Sequence, residues 1–328
     1  MSFMNRAAMR VWGLPFVAVS ALLAVLYLTV SGNPPLRFRG AAATWATLTF
    51  GVVIQALPFL VLGVLVSGAI AAFLPKDALA RITPRSPILA VPAAGLAGMV
   101  LPGCECASVP VSQSLMRRGL PQVAALAFLL AAPAVNPIVL VATAVAFAGS
   151  NPMMVWARLI ASLVAVMAVC WLWLGVGRKE WMKPQEGHVH EGSRAAVFRE
   201  TAVHDLLQAG GFLVVGAAAA ALMKVAVPSG VLAVLTQNPW LGILMLAFLA
   251  VVLSLCSEAD AFVVASLPGV SPTAQLVFLV VGPMVDVKLF AMQSGAFGVR
   301  FASRFMPLTL LICIWSAAVV GALMFGTF

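Results

Sequence analysis

A chain of 328 residues that is 63% hydrophobic and only 9% charged, with a mean hydropathy of +1.09, is excluded from the soluble proteins. Soluble domains carry nearer ~25% charged residues. The formal charge of +9 sits in short loops between apolar runs, the bias that orients membrane helices, so the implied partner is a lipid bilayer and no nucleic acid is implied.

The apolar runs are unbroken rather than alternating, which excludes a β-barrel and predicts an all-α polytopic membrane protein. Against the ~20 residues that cross a bilayer, spans are predicted at 11–30, 46–74, 122–148, 154–176, 203–227, 273–297 and 305–327. The first follows Arg6 and Arg10. Its apolar run is about twice a secretory core of ~7–15 residues, so 1–44 reads as a retained N-terminal helix and loop. The stretches 88–116 and 240–267 are apolar but broken by polar residues. The long polar segment 177–202 is a connector, cytoplasmic by its basic residues. Its His188 and His190 form an alternating pair of weak metal-binding type, which a solvated linker also accommodates.

The two halves repeat. Gln55, Phe59, Gly63 and Pro75 match Gln208, Phe212, Gly216 and Pro228 at an offset of 153. Cys104 and Ala107 lie opposite Cys256 and Ala259 at 152, and Phe128, Pro133 and Asn136 lie opposite Phe278, Pro283 and Asp286 at 150. Two transmembrane repeats follow, 45–176 and 203–328. Each contains a helix, a re-entrant or broken helical hairpin, a proline-interrupted helix and a final helix. Loops around the first broken segment carry Lys76, Arg81, Arg85, Arg117 and Arg118, whereas the matching loops 228–239 and 268–272 carry no Lys or Arg. Opposite orientation of the repeats accounts for that contrast. With re-entrant hairpins, three crossings per repeat force the inversion and leave only Arg37 and Arg39 outside. The N-terminus and the connector then face the cytoplasm.

Four of the ten acids, Glu105, Glu258, Asp260 and Asp286, lie inside apolar segments. An ionisable group at bilayer depth costs a few kcal/mol or more and normally faces a cavity. Asn136 and Gln113 belong to the same category. Pro102, Pro110, Pro133, Pro137 and Pro283 free backbone groups around these acids. Cys104 and Cys106 flank Glu105, and Cys256 sits at the repeat-equivalent of Cys104, whereas Cys170 and Cys313 lie in plain apolar runs as packing residues. The Cys-x-Cys offers soft metal ligands, although small polarizable residues at a tight turn would read the same way. Glu105 between the thiols opposes a second negative charge and favours a site that becomes charged when a cation or soft electrophile arrives.

The segments Leu101-Pro-Gly-Cys-Glu-Cys-Ala-Ser-Val-Pro110, Met116-Arg-Arg-Gly-Leu-Pro121 and Ala127-Phe-Leu-Leu-Ala-Ala-Pro-Ala-Val-Asn-Pro137, with Cys256-Ser-Glu-Ala-Asp-Ala-Phe262, resemble the predicted permease family that includes the organoarsenical efflux permeases. The resemblance covers roughly 45–325. Glu105 matches the largely uncharacterised bacterial branch; the organoarsenical branch tends to carry Ser there. The resemblance implies a multi-pass bacterial inner-membrane permease, some members being implicated in export of trivalent organoarsenicals or soft metal ions.

The expected function is therefore a gradient-driven secondary transporter, with efflux of a small soft-metal, metalloid or related solute by alternating access. No Gly-x-x-x-x-Gly-Lys-Ser/Thr loop occurs, so no nucleotide or other cofactor is implied. Expected substrate contacts are Cys104, Glu105, Cys106, Asn136, Cys256 and Asp286, with Cys104 and Cys106 as metal ligands. Glu258, Asp260 and Asp286 are the expected proton or ion carriers, since desolvation disfavours the charged carboxylate. Two alternatives stay open, a membrane thiol oxidoreductase using Cys104 and Cys106, and a passive channel. Homo-oligomerisation is left open too.

Overall fold

Apolar segments surrounded by hydrocarbon must satisfy their backbone polar groups internally, and helices do so within one segment. The computed structural model describes residues 41–75, 83–84, 86–99, 104–183, 193–226, 239–267 and 269–326, which contain helices and no strand. The expected first span 11–30, Pro102, the loop residues Lys76, Arg81 and Arg85, and the His188/His190 pair lie outside the described residues.

The first repeat contains α1 (Ala41–Phe73), α2 (Pro87–Gly98), α3 (Glu105–Arg117), α4 (Gln122–Ala134), α5 (Pro137–Ala146) and α6 (Met154–Val176). After a 3-10 turn at Lys179–Trp181, the same order recurs as α7 (Arg194–Ala226), α8 (Pro239–Leu253), α9 (Asp260–Ala265), α10 (Pro272–Met284), α11 (Val287–Phe297) and α12 (Val299–Phe325). Six stretches are long and apolar enough to cross a membrane: Ala42–Phe73, Gln122–Ala146, Met154–Val176, Arg194–Leu222, Pro272–Phe297 and Val299–Phe325. The 12 residues of α2 and 15 of α8 reach only about 18 and 22 Å at 1.5 Å per residue, short of the ~30 Å hydrocarbon core.

Three boundaries differ from the sequence expectation for local reasons. The spans expected at 122–148 and 273–297 each divide into two helices. Pro133 and Pro283 weaken the last turns of α4 and α10, and Asn136 and Asp286 then take extended backbone angles and cap α5 and α11. The helix expected from 203 starts at Arg194, where the Ser193 hydroxyl accepts from the Ala196 amide at 3.3 Å.

Packing follows the repeat. α2 and α3 both pack on α4, as α8 and α9 both pack on α10; α4 and α2 pack on α6, as α10 and α8 pack on α12. Helix α3 packs on α11 from the other half of the chain, and α9 packs on α5. The equivalent helices α1 and α7 run antiparallel, since Trp45 donates to the Ala218 carbonyl at 2.9 Å and Ser67 to Asp205 at 2.6 Å. Residues of α6 and α12 pair in the same sense, Ser316 with the Ala161 carbonyl at 2.7 Å and Trp173 against Phe301 and Phe305. Two features depart from this pairing. α10 packs on α6 without a comparable α4–α12 contact among the described residues. α1 packs on α3 and α7 packs on α11, but neither packs in the same way on the counterparts α9 and α5.

Candidate substrate site

The two breaks place helix starts near the middle of the bundle. Asp286, in the interior of the Pro272–Phe297 span, accepts from the Leu289 amide and so starts α11. Lys288 follows within the first turn. Its Nζ lies 2.5 Å from Glu105 Oε1 and 3.7 Å from Asp286 Oδ2, with all three side chains buried. Glu105 opens α3 directly after Cys104, whose extended backbone stands at the helix N-cap. The approach of these helices to α1 and α7 depends on two repeat-equivalent glycines. A Cβ added at Gly63 would sit 2.6 Å from the Ala107 Cα, and one at Gly216 would sit 2.8 Å from the Lys288 Cα.

The thiol expected to partner Cys104 is not the one that completes the donor group. Ligand atoms of Cys104, Glu105 and Cys256 lie within 4.8 Å of one another, all buried. Two come from the first repeat and one from the second. Cys106 is buried and interacts with Cys104, but it is not in that group. All five cysteines are free thiols. The other carboxylate oxygen of Glu105, Oε2, is buried without a hydrogen-bond partner among the described residues. Cys170 and Cys313 are buried away from the group, as packing residues.

A second ion pair lies at the α9 start. Asp260 Oδ2 is 3.0 Å from Arg158 Nη2, which also donates to the Ser257 carbonyl at 3.1 Å, while Nη1 donates to Thr143 at 2.7 Å. Arg158 is 0% exposed. Lys288 and Arg158 lie inside apolar runs and escape a search confined to acids and thiols; scanning those runs for every ionisable type finds both. Glu258 is half-buried between the two pairs and interacts with Glu105, Arg158 and Lys288, and it makes no ion pair among the described residues. Lys224, near the end of α7, faces Asp286 and Lys288.

The polar atoms of Asn136 are engaged locally. Its Oδ1 accepts from the Val139 amide at 2.9 Å and its Nδ2 donates to the Ala132 carbonyl at 3.1 Å. Pro137 occupies the first turn of α5, where its missing amide hydrogen costs nothing. Pro110 lies inside α3 and Pro283 near the end of α10, both buried. A polar lane runs along the α3–α11 seam: the Gln113 amide donates to the Ala296 carbonyl at 2.9 Å, while both polar atoms of Gln293 are buried without a partner. At the far end Asp205, buried, holds Ser67 and lies 3.5 Å from Arg117 and from His204. From Glu105 to Arg117 is about 18 Å along α3 at 1.5 Å per residue, roughly half a bilayer's hydrocarbon plus its margin.

Intramembrane acids and buried cations on interrupted helices are features of transport proteins. A family described as "Predicted permease" (ArsP_1) matches residues 42–322. The chain belongs to this permease family. Over 282 residues the permease is 36% identical to the "Putative two-component membrane permease complex subunit" of Streptococcus mutans serotype c, covering 83% of this chain and 93% of that protein. It is 34% identical over 275 residues to the UPF0718 protein YcgR of Bacillus subtilis, covering 82% of this chain and 93% of the relative. No solved structure matches the permease significantly.

Proposed function

We propose that this permease carries a small thiophilic cation or metalloid out of the cell by alternating access between two inverted repeats, energised by an ion gradient. The Cys104–Glu105–Cys256 group supports the cargo, because two soft sulfurs and one carboxylate suit soft, positively charged centres. Charge supports it too. Among the described residues, four acids, Glu105, Glu258, Asp260 and Asp286, face three cations, Lys288, Arg158 and Lys224. Glu258, which has no fixed partner cation, is the acid best placed to exchange a coupling ion. The name of the Streptococcus relative supports assembly with a second subunit.

The observation that carries alternating access is the position of α1 and α7. Apart from the α10–α6 contact, the rest of the bundle pairs its elements symmetrically, with seams α3–α11 and α9–α5 as counterparts, yet among the described residues α1 and α7 cover only the first. Residues on the uncovered seam are exposed, among them Ile138, Val141 and Val145 of α5 and Phe262 of α9. The antiparallel course of α1 and α7 supports the inverted relation. Exchanging the roles of the repeats defines the other state: α1 and α7 move to the second seam and expose the site to the opposite face. Gln208, which donates to the Gly295 carbonyl at 3.1 Å, has the exposed Gln55 as its counterpart, with the Val145 carbonyl as its expected partner in that state.

Disulfide-length cross-linking tests this. The Ser114 hydroxyl donates to the Ser67 carbonyl at 2.9 Å, and the equivalent pair is Ser266 and Ala220. Ser67→Cys/Ser114→Cys and Ala220→Cys/Ser266→Cys should each cross-link in membranes, and each cross-link should arrest transport of Cd²⁺. A transporting protein in which the second pair never links would rule the mechanism out, as would continued flux with either pair locked.

A further inference from the structure

Lys288 is a second-repeat cation seated on a first-repeat carboxylate that also belongs to the soft donor group. Its ammonium is 2.5 Å from Glu105 Oε1 and 3.7 Å from Asp286 Oδ2. Glu105 Oε2 and Asp286 Oδ2 are both buried without a hydrogen-bond partner among the described residues. The ammonium therefore neutralises the site without filling the acceptors around it. A cation entering among Cys104, Glu105 and Cys256 and the existing ammonium would compete for the same carboxylate charge.

We propose, resting on the cation-carrier reading above, that Lys288 is a tethered stand-in for the cargo. It occupies Glu105 in the empty carrier, and an incoming soft cation pushes the ammonium off Glu105 towards Asp286. The ammonium keeps all its protons, while the Cys104 and Cys256 thiols give theirs up to water as metal–sulfur bonds form. One cation replaces another at the same carboxylate. A buried carboxylate without a counter-charge is expensive to carry through a closed, dry intermediate. With Lys288 in place, the empty carrier can pass through that intermediate as readily as the loaded one. Without Lys288, only the loaded carrier can. The long, flexible stem of lysine suits this exchange, since its ammonium is a mobile point charge rather than a fixed fork. Gly216 against the Lys288 backbone fixes where the stem begins, so only the ammonium end has to move.

The test separates net transport from exchange in proteoliposomes, with Cd²⁺ as the probe. Net efflux requires the empty carrier to return; Cd²⁺-for-Cd²⁺ exchange does not. Lys288→Gln should bind Cd²⁺ about tenfold or more tightly in detergent, which is about 1.4 kcal/mol. It should retain exchange and lose net efflux by a similar factor. Net efflux at the wild-type rate, or loss of Cd²⁺ binding in folded protein, would overturn the proposal. In the wild-type protein, saturating Cd²⁺ should increase labelling of the Lys288 amine by a small amine-reactive reagent, read by mass spectrometry. Unchanged labelling with Cd²⁺ bound would also overturn it, whether or not the variant folds. Wild-type protein that neither binds nor moves Cd²⁺ would instead remove the cation-carrier reading, and this inference with it.

Discussion

Glu105 with Lys288 and Asp260 with Arg158 occupy related places in the two repeats. Each acid lies in the first turn of a short helix, α3 or α9, and each takes its cation from the other repeat. Their chemistry diverges. Arg158 spreads its fork over Thr143, the Ser257 carbonyl and Asp260, a set of contacts from three different elements that fixes its position. Lys288 has one close partner and a second at 3.7 Å. Guanidinium keeps its charge under all ordinary conditions and makes planar, multidentate contacts; ammonium is a point charge that can shift from one acceptor to the next. The first turns of α3 and α9 thus each hold an acid tied to the other half, one through a multidentate guanidinium and one through a single ammonium. The thiols follow that division, since Cys104 and Cys256 gather at Glu105 and none joins the Arg158 group.

The largest test of this contrast removes the acids. Asp260→Ala strands a buried guanidinium that cannot lose its proton, and breaking a buried pair in this way costs about 3–5 kcal/mol. Glu105→Gln leaves Lys288 a hydrogen-bonding amide and Asp286 nearby, so its cost should be nearer ~1 kcal/mol, that of an ordinary hydrogen-bond change. Thermal unfolding in detergent should rank Asp260→Ala well below Glu105→Gln. Equal losses would show that the two pairs are mechanically alike.

A smaller effect is expected from Arg158→Lys. The charge is kept, but one ammonium cannot serve Thr143, Ser257 and Asp260 together. A loss of about 1–3 kcal/mol should follow from the buried acceptors left unsatisfied. Unfolding midpoints that match the wild type would mean that charge alone, not the fork, holds the repeats at this point.

Hydropathy was sufficient to identify five of the six membrane-capable stretches to within a few residues, because apolar length is a local property. The sixth, the helix beginning at Arg194, extends further towards its N-terminus than hydropathy alone indicates, since its first two turns are polar. Gly63 and Gly216, which recur at an offset of 153, each stand where another helix backbone comes too close for a Cβ, a steric need that leaves a residue-level mark. The site was only partly legible. Glu105, Cys104 and Cys256 were visible as residues out of place, but which thiol stands beside Glu105 depends on how α3 meets the turn before α9, a contact across 152 positions of chain. Asn136 is legible as a polar residue after a proline, and both of its amide atoms make hydrogen bonds at the break between α4 and α5. The asymmetric seat of α1 and α7 has no sequence signature at all. On the mechanism proposed above it is one of two packings, and a repeat pattern describes both equally.

The finest distinction falls on Asp286, which combines the two kinds of role. Its carboxylate caps α11 through the Leu289 amide, as Asn136 caps α5 through Val139, and it also faces Lys288. Asp286→Ala should lose the cap, worth about 0.5–2 kcal/mol. Asp286→Asn keeps an acceptor of the kind that Asn136 already supplies in the first repeat, so its unfolding midpoint should stay close to the wild type. Only the negative charge is gone. If that charge receives the Lys288 ammonium when cargo enters, Asp286→Asn will fold normally and bind Cd²⁺ more weakly than the wild type, because the displaced ammonium has nowhere to go. A thiol oxidoreductase working through Cys104 and Cys106 would be indifferent to this substitution, so full Cd²⁺ affinity in a folded Asp286→Asn protein would count against any part for Asp286 in cation binding.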